Sequence, residues 1–385
     1  MDFSITEEQE LLFENLAELV KRGWNETEYN DLYYNRHELP QGFIDQLIEA
    51  GFTMLGVPEE YGGTPVDYQT LVMFAVELAR LTGASLPVAS NAISIDDIIS
   101  FGNPEQQKFI LEYVAKHGTP PFALGFSEPQ AGSDSSGILT TATRNGGKVY
   151  INGHKSMVTD ADISPYLLVI TRDLEGETPM KSMSMWLVPN DAPGVKLEAL
   201  HKIGLKTGRF FEVYLENVEL EESALIGVEG NGFMQLMKNF EIERLMLVAT
   251  GVGMAEAAFE EVARYANLRE QFGKPIGFFQ IVQEKLTDMK IKIENMKTLL
   301  YKTAWKKDNG ISIQIDSALA KRYCAIASFE VLDDALQLMG GIGYTEESRI
   351  SRMWLDVRHL RIAGGTDEIM VHIGGRQLLK QFRYH

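Results

Sequence analysis

One cysteine, Cys324, stands among 385 residues. That scarcity excludes an intrachain disulfide and any Cys-rich zinc site, and it suits a reducing compartment. Histidine is nearly as rare: there are seven, none in HExxH or another ligand spacing, so the sequence gives no support to a metal centre. Basic charge is also short, with 36 Lys and Arg against 54 Asp and Glu for a net charge of −18. This deficit argues against nucleic acid, whose phosphate backbone needs cations, and against an anionic membrane surface. No uninterrupted apolar run reaches about 18 residues, so no membrane-spanning helix is expected. The opening MDFSITEEQELLF is acidic and lacks both the basic start of a signal peptide and the Arg/Ser bias of a transit peptide. A cytoplasmic location is the default expectation.

The 45% hydrophobic and 23% charged fractions are those of an ordinary soluble protein, long enough for a sizeable core and two or three domains. The hydrophobic period divides the chain. To about residue 120 it is helical: Thr6 and Gln9 have capping-box spacing ahead of Leu12, Leu16 and Leu19, a second helix begins after Pro40, which fits an N1 position, and ends near Gly51, and 67–81 and 103–115 make two more. From 121 to about 228 the period falls to two. Residues 140–144 and 148–152 flank Asn145-Gly146-Gly147 as a hairpin, and 166–171, 184–188, 195–200 and 210–215 are further strands, so a sandwich or small barrel is expected. From 229 to 385 long helices return. Val282, Leu286, Met289, Ile293, Met296 and Leu300 form a heptad stripe that Gly310 closes, 312–339 is a second long helix, and 233–265 is apolar over most of its circumference and therefore central. The fold class is α+β multidomain: an N-terminal helical bundle, a middle β domain and a C-terminal four-helix bundle.

Several segments carry candidate chemistry. Phe126-Ser-Glu-Pro-Gln-Ala-Gly-Ser-Asp134 is a strand running into a Gly-containing turn whose N–H and hydroxyl groups suit a heterocycle or a phosphate, although alone it is equally an ordinary polar loop. Arg269, Phe272 and Gly273 combine a planar fork for a pyrophosphate with a ring for a base, or else Arg269 is a solvated charge at a helix end. Glu243, on the most apolar helix with Arg244 beside it, is either a satisfied structural acid or one ready to change protonation state.

With the helical, β, helical order, Phe126–Asp134 resembles the TEP-x-AGSD signature of the acyl-CoA dehydrogenase family. The resemblance spans the chain, with further matches in order at Gly153-His-Lys-Ser-Met-Val-Thr159, Arg269-Glu-Gln-Phe-Gly273, Gln337-Leu-Met-Gly-Gly341 and Gly365-Thr-Asp-Glu368. ARYANLREQFGKPIG and AWKKDNG are similar to the crotonobetainyl-CoA reductase branch. The resemblance implies FAD as cofactor, with Phe126 and Ser127 along the flavin ring and Gly132 and Ser133 near the pyrophosphate or the pantetheine arm. Met157 and Thr159 would contact the flavin, although an aromatic residue is frequent at the position of Met157. Arg269, Phe272, Gln337 and Gly341 would hold the FAD of a neighbouring subunit, in at least a dimer and by family precedent a homotetramer. Thr366 and Glu368 fall in the last cofactor motif.

The implied reaction removes a proton from Cα of an acyl-CoA while hydride leaves Cβ, giving an enoyl-CoA, or runs in reverse, with an electron-transferring flavoprotein as redox partner. The base that commonly precedes the Gly-Thr of the last motif is missing, because Gly364 stands there. A minority of the family places its Glu on the long helix in an xLERL context, which Glu243-Arg244-Leu245 matches, with Glu241 as fallback. Burial raises the pKa of Glu243, and Arg244 is expected to diverge from it toward the CoA moiety. The backbone N–H of Gly364 would donate to the thioester carbonyl, and the vacated side-chain volume would admit a branched acyl group. His154, Tyr344 and Trp354 line the site or simply pack. A flavin monooxygenase or oxidase on the same fold, or a catalytically silent FAD or acyl-CoA-binding assembly protein, remain the rival functions.

Overall fold

The computed structural model describes residues 4–176 and 178–382. In chain order the first helices are α1 (Glu7–Gly23), α2 (Glu26–Asp31), α3 (Gln41–Glu49), α4 (Tyr68–Thr82), α5 (Pro87–Phe101) and α6 (Pro104–His117). Thr6 and Gln9 form the reciprocal cap expected of them, with Thr6 Oγ1 accepting from the Gln9 N–H at 3.2 Å and Gln9 Oε1 from the Thr6 N–H at 3.0 Å. α3 begins after Pro40 as expected, with Pro40 as its N-cap rather than at N1. α5 was not foreseen. Val88, Ala92, Ile95 and Ile98 follow helical spacing, but the polar Asn91, Ser94 and Asp97 are buried along with them, so polarity does not mark an outer face.

The strands are β1 (Phe122–Gly125), β2 (Thr141–Asn145), β3 (Lys148–Thr159), β4 (Tyr166–Arg172), β5 (Met183–Pro189), β6 (Val195–Leu200), β7 (Phe210–Leu220) and β8 (Leu225–Ile226). They form two four-stranded sheets, ordered β1-β4-β5-β8 and β2-β3-β7-β6. Val149, Ile151, Val213 and Leu215 of one sheet pack with Leu167, Val169, Trp186 and Val188 of the other, which makes a sandwich core. The alternate residues Leu168 and Ile170 of β4 face a second core with Ile98 of α5 and Ile110 of α6, so β4 is apolar on both faces. The expected hairpin is present, with Asn145 opposite Lys148 and the positive φ of Gly146 and Gly147 closing the turn.

The remaining elements are α7 (Gly232–Leu268), a short hairpin of β9 (Glu270–Gln271) and β10 (Lys274–Pro275), then α8 (Gln280–Asp308), α9 (Gln314–Met339), α10 (Arg349–Arg358) and α11 (Asp367–Gln381). The chain divides into two compact units. One holds residues 1–36, 65–89 and 241–385, the other 37–64 and 90–240, so the division falls inside both α5 and α7. In the first unit α9 packs against α8, α10 and α11, and α4 packs against α8. α4 also lies close to α7: a Cβ at Gly253 would stand 2.2 Å from the Val76 carbonyl oxygen, a contact only glycine permits. The heptad residues Met289, Ile293, Met296 and Leu300 are all fully buried. Among the described residues no helix is long and apolar enough to cross a membrane.

Candidate active site

Glu243 lies in α7, flanked by the fully buried Ile242 and by Arg244, Leu245 and Met246. Its residue surface is half-buried, yet Oε2 is sealed from solvent and accepts no hydrogen bond. Burial pushes its carboxyl up to about 7, against the opposing pull of Arg244 and, more weakly, Lys321. Asp367 also leaves one buried oxygen without a donor, but its other oxygen accepts from Arg361 Nε at 2.7 Å. No such hydrogen bond or ion pair holds Glu243 among the described residues.

Opposite it is the turn before α11, where Gly364 and Gly365 have φ of 64° and 94°. A Cβ built on Gly364 would stand 3.6 Å from Glu243 Oε1, so this carboxylate already reaches the place where a side chain at 364 would begin. The same Cβ would lie 2.8 Å from Leu247 Cδ1. The room expected at the glycine is therefore partly filled at its root by Leu247. Arg244 also departs from expectation. Only 3% exposed, it does not diverge from Glu243: its Nε donates to the Gly364 carbonyl at 3.3 Å, and the fold back onto the turn keeps its charge near the acid. Lys321 of α9 donates to the next carbonyl, that of Gly365, at 2.5 Å. Thr366 caps α11 by accepting from the Ile369 N–H at 3.3 Å, and Glu368 is exposed in its first turn. Glu241 is half-buried two residues before Glu243.

A second group forms on the β sandwich. The Ser156 N–H donates to the Ser127 carbonyl at 2.9 Å, joining the 126–134 loop to the 153–159 strand segment. Beneath this junction Lys155 Nζ reaches the Phe126 carbonyl at 3.2 Å and Glu128 Oε1 at 2.8 Å. Glu128 also accepts from the Leu139 N–H at 2.7 Å, the Thr140 N–H at 3.0 Å and the Thr140 hydroxyl at 2.6 Å. Burial by itself would raise its pKa, but the Lys155 charge and these donors hold it down at about 2. Phe126 meets Phe240 edge to face at 5.8 Å. At the loop tip Gly132 and Ser133 are exposed, and a side chain on Gly132 would meet nothing within 4 Å. Met157 has a φ of 59° in the irregular register between Lys155 and Val158, which turns it outward to 58% exposure; Thr159 is exposed nearby. His154 is engaged locally, its Nε2 2.6 Å from Glu212 Oε2 and its ring stacked on Tyr214.

The third group is the β9–β10 hairpin. Phe272 and Gly273 occupy its two turn positions with φ of 54° and 79°, a conformation that suits Asn-Gly and strains phenylalanine, and Phe272 is 93% exposed. A cleft of roughly 350 Å³ brings together Phe272, Phe279, Val282, Lys285 and Gln337. Arg269 is exposed at the base of the hairpin and Gly341 lies open beyond the end of α9. Tyr344 is exposed, whereas Trp354 donates to Asp333 at 3.0 Å and packs on Phe329.

These groups suit a flavin dinucleotide. The loop tip and Met157 offer an open apolar and hydroxyl-bearing surface, while on the hairpin Phe272 meets Phe279 edge to face at 6.1 Å yet stays exposed, and Arg269 adds an exposed guanidinium, groups that suit an adenine and a pyrophosphate. Two features escaped the sequence reading. Lys155 lies at an inward position of β3, in phase with Val149 and Ile151, and Lys321 lies in the buried α9 face with Ser317, Ala318, Cys324 and Ser328. A lysine in phase with core residues is the signal that could have found both.

Comparison with known proteins decides the family. Residues 6–117, 123–218 and 230–379 match, in turn, the N-terminal, middle and C-terminal domains of acyl-CoA dehydrogenase. The chain belongs to the acyl-CoA dehydrogenase family. It is 48% identical, over 383 residues and the full length of both chains, to a protein of Escherichia coli K12 named "Probable acyl-CoA dehydrogenase YdiO". Among solved structures it is similar to butyryl-CoA dehydrogenase from Megasphaera elsdenii, with TM-score 0.91 and 28% identity over 98% of this chain and 100% of that one. A chain from work on the electron transferring flavoprotein of Acidaminococcus fermentans matches with TM-score 0.91 and 29% identity over 99% and 100% of the two chains. The fold is that of the acyl-CoA dehydrogenases, helical then β then helical, and the cofactor is FAD. This chain is thus an FAD-dependent enzyme acting on acyl-CoA.

Proposed function

We propose that this acyl-CoA dehydrogenase family member interconverts an acyl-CoA and its α,β-unsaturated enoyl-CoA, with Glu243 as the Cα base. The observation that carries the proposal is the unpartnered Glu243 Oε2 beside a turn whose usual acid is replaced by Gly364. In dehydrogenation Glu243 accepts the Cα proton; in reduction the protonated form returns it. A carboxyl near 7 is populated in both forms at neutral pH, which suits either direction. The Gly364 N–H would donate to the thioester carbonyl and stabilise the enolate that develops there. Arg244 and Lys321 fix this turn through its two carbonyls. Phe126, Ser127, Gly132, Ser133, Met157, Thr159, Thr366 and Glu368 would hold FAD, with Ser133 and Arg244 also serving the CoA ester. Bound FAD supplies the two-electron partner for Cβ.

Arg269, Phe272, Gln337 and Gly341 would serve a neighbouring subunit's FAD in a homotetramer. The likeness to the crotonobetainyl-CoA reductase branch favours reduction of an enoyl-CoA, with an electron-transferring flavoprotein as redox partner in the cytoplasm. We keep the division into 1–120, 121–228 and 229–385 as the working domain scheme. Anaerobic mixing with a library of saturated CoA esters, and of unsaturated esters after photoreduction, tests the reading. Bleaching or recovery of the flavin band with at least one ester is expected, and a band unmoved by all of them contradicts it.

A further inference from the structure

Lys321 is a buried lysine whose hydrogen bond to the turn serves the chemistry above but whose charge has no part in it. Its chain threads the core-facing side of α9 between Ser317, Ala318, Cys324 and Ala325, all buried, and its ammonium ends on the Gly365 carbonyl. A desolvated ammonium is costly unless nearby charge compensates it. The acids around it are Asp367 and Glu368 of α11 and Glu243 of α7, with Arg244 of α7 as the opposing cation. Asp367 already receives Arg361 Nε at 2.7 Å, and Glu368 is exposed at the helix start. Asp367 Oδ1 and Glu243 Oε2 are both buried without a donor, and of the two Glu243 reaches the turn that Lys321 holds, its Oε1 3.6 Å from where a Cβ on Gly364 would stand.

We propose that Lys321 is a positioning residue, whose ammonium pins the Gly364–Gly365 turn and whose positive charge holds Glu243 in the anionic form needed to take a proton. The inference rests on the reading of Glu243 as base. Two separate jobs are combined in one group. A hydrogen bond to the Gly365 carbonyl fixes a turn with two successive positive φ values, and hence the direction of the N–H offered to a thioester. The charge opposes the desolvation of Glu243, because a cation favours the ionised carboxyl while burial disfavours it. Burial also lowers Lys321 itself to about 8, so its charge is lost as pH rises above that value.

A lysine kept only for its hydrogen bond would be replaceable by any donor, whereas a lysine kept for its charge would not. K321Q and K321M remove the charge, K321R retains it, and K321Q also retains a donor. The readouts are the pH dependence of anaerobic flavin reduction by an acyl-CoA and the pH titration of the Glu243 carboxyl infrared band, assigned by its loss in E243Q. In K321M and K321Q the midpoint of both curves should rise by about one pH unit, and in K321R it should stay near that of the native protein. A midpoint unmoved in K321M and K321Q overturns the inference, even if thermal stability or FAD content falls. Slow E243Q with an unmoved midpoint overturns Lys321's part alone. Near-native E243Q removes the base and this inference together. Should K321M not accumulate, K321Q carries the same test.

Discussion

Gly364 shows how one missing side chain reorganises a site. Its φ of 64° lies where side chains are strained, and an added Cβ would press on Leu247 Cδ1. Gly364→Ala should therefore lower stability by about 1–2 kcal/mol in chemical denaturation, the combined effect of positive φ and a tight contact. Glu243 pays the opposite way. Its folded pKa is raised, so its charged form is disfavoured by folding, and this penalty is largest above pH 7 and fades as pH falls toward the ordinary value of 4.5. Glu243→Gln should raise the melting temperature at pH 8 more than at pH 5; an equal change at both would contradict the shift. Glu243 could be proposed as this acid from the sequence because the usual position holds glycine and the ERL context matches. The fold of Arg244 back onto the Gly364 carbonyl was not, since residue spacing gives the direction in which a side chain leaves a helix but not where a long flexible one ends.

At the scale of elements, the 126–134 loop is fixed from below by the Glu128 and Lys155 pair. Lys155→Met would leave Glu128 buried with its charge uncompensated, and a loss of about 3 kcal/mol is expected in denaturant unfolding. Glu128 has a depressed folded pKa, so its contribution is complete above about 4.5 and is lost as pH falls through about 2. The β9–β10 hairpin presents the reverse trade. Phe272 sits in a left-handed conformation that asparagine adopts more easily, so Phe272→Asn should hold or raise the melting temperature of the apoprotein while FAD is retained less well on dilution. Retention equal to the native protein would remove Phe272 from cofactor binding. The hairpin's Arg-x-x-Phe-Gly motif was visible in sequence, but its turn geometry was not, because Phe-Gly is not a turn signal. α5 was missed for a different reason: Val88, Ala92, Ile95 and Ile98 keep helical spacing, but Asn91, Ser94 and Asp97 are buried beside them, so polar and apolar residues do not separate into two faces.

For the whole molecule, the change of hydrophobic period from helical to two and back marked the helical, β, helical order and left a sandwich or a small barrel for the middle domain, which the structure resolves as a sandwich without the sequence having shown α5. The grouping of α1 and α4 with the C-terminal helices was not readable, because it depends on contacts distant in sequence, such as Arg80 of α4 with Glu260 of α7 at 2.7 Å. Substrate identity belongs to this scale too. A glycine at 364 predicted room for a branched acyl group, and Leu247 narrows it, so a turnover panel should show branched esters accepted but not at the exclusion of short straight ones.

The central claim is that Glu243 moves the Cα proton, and anaerobic rapid mixing of native protein and E243Q with the same acyl-CoA tests it most directly. The account predicts equal FAD content in both, a native rate of flavin reduction that rises with pH through about 7, and at least about 100-fold slower reduction in E243Q with that limb gone. Flavin reduction in E243Q at close to the native rate would contradict it.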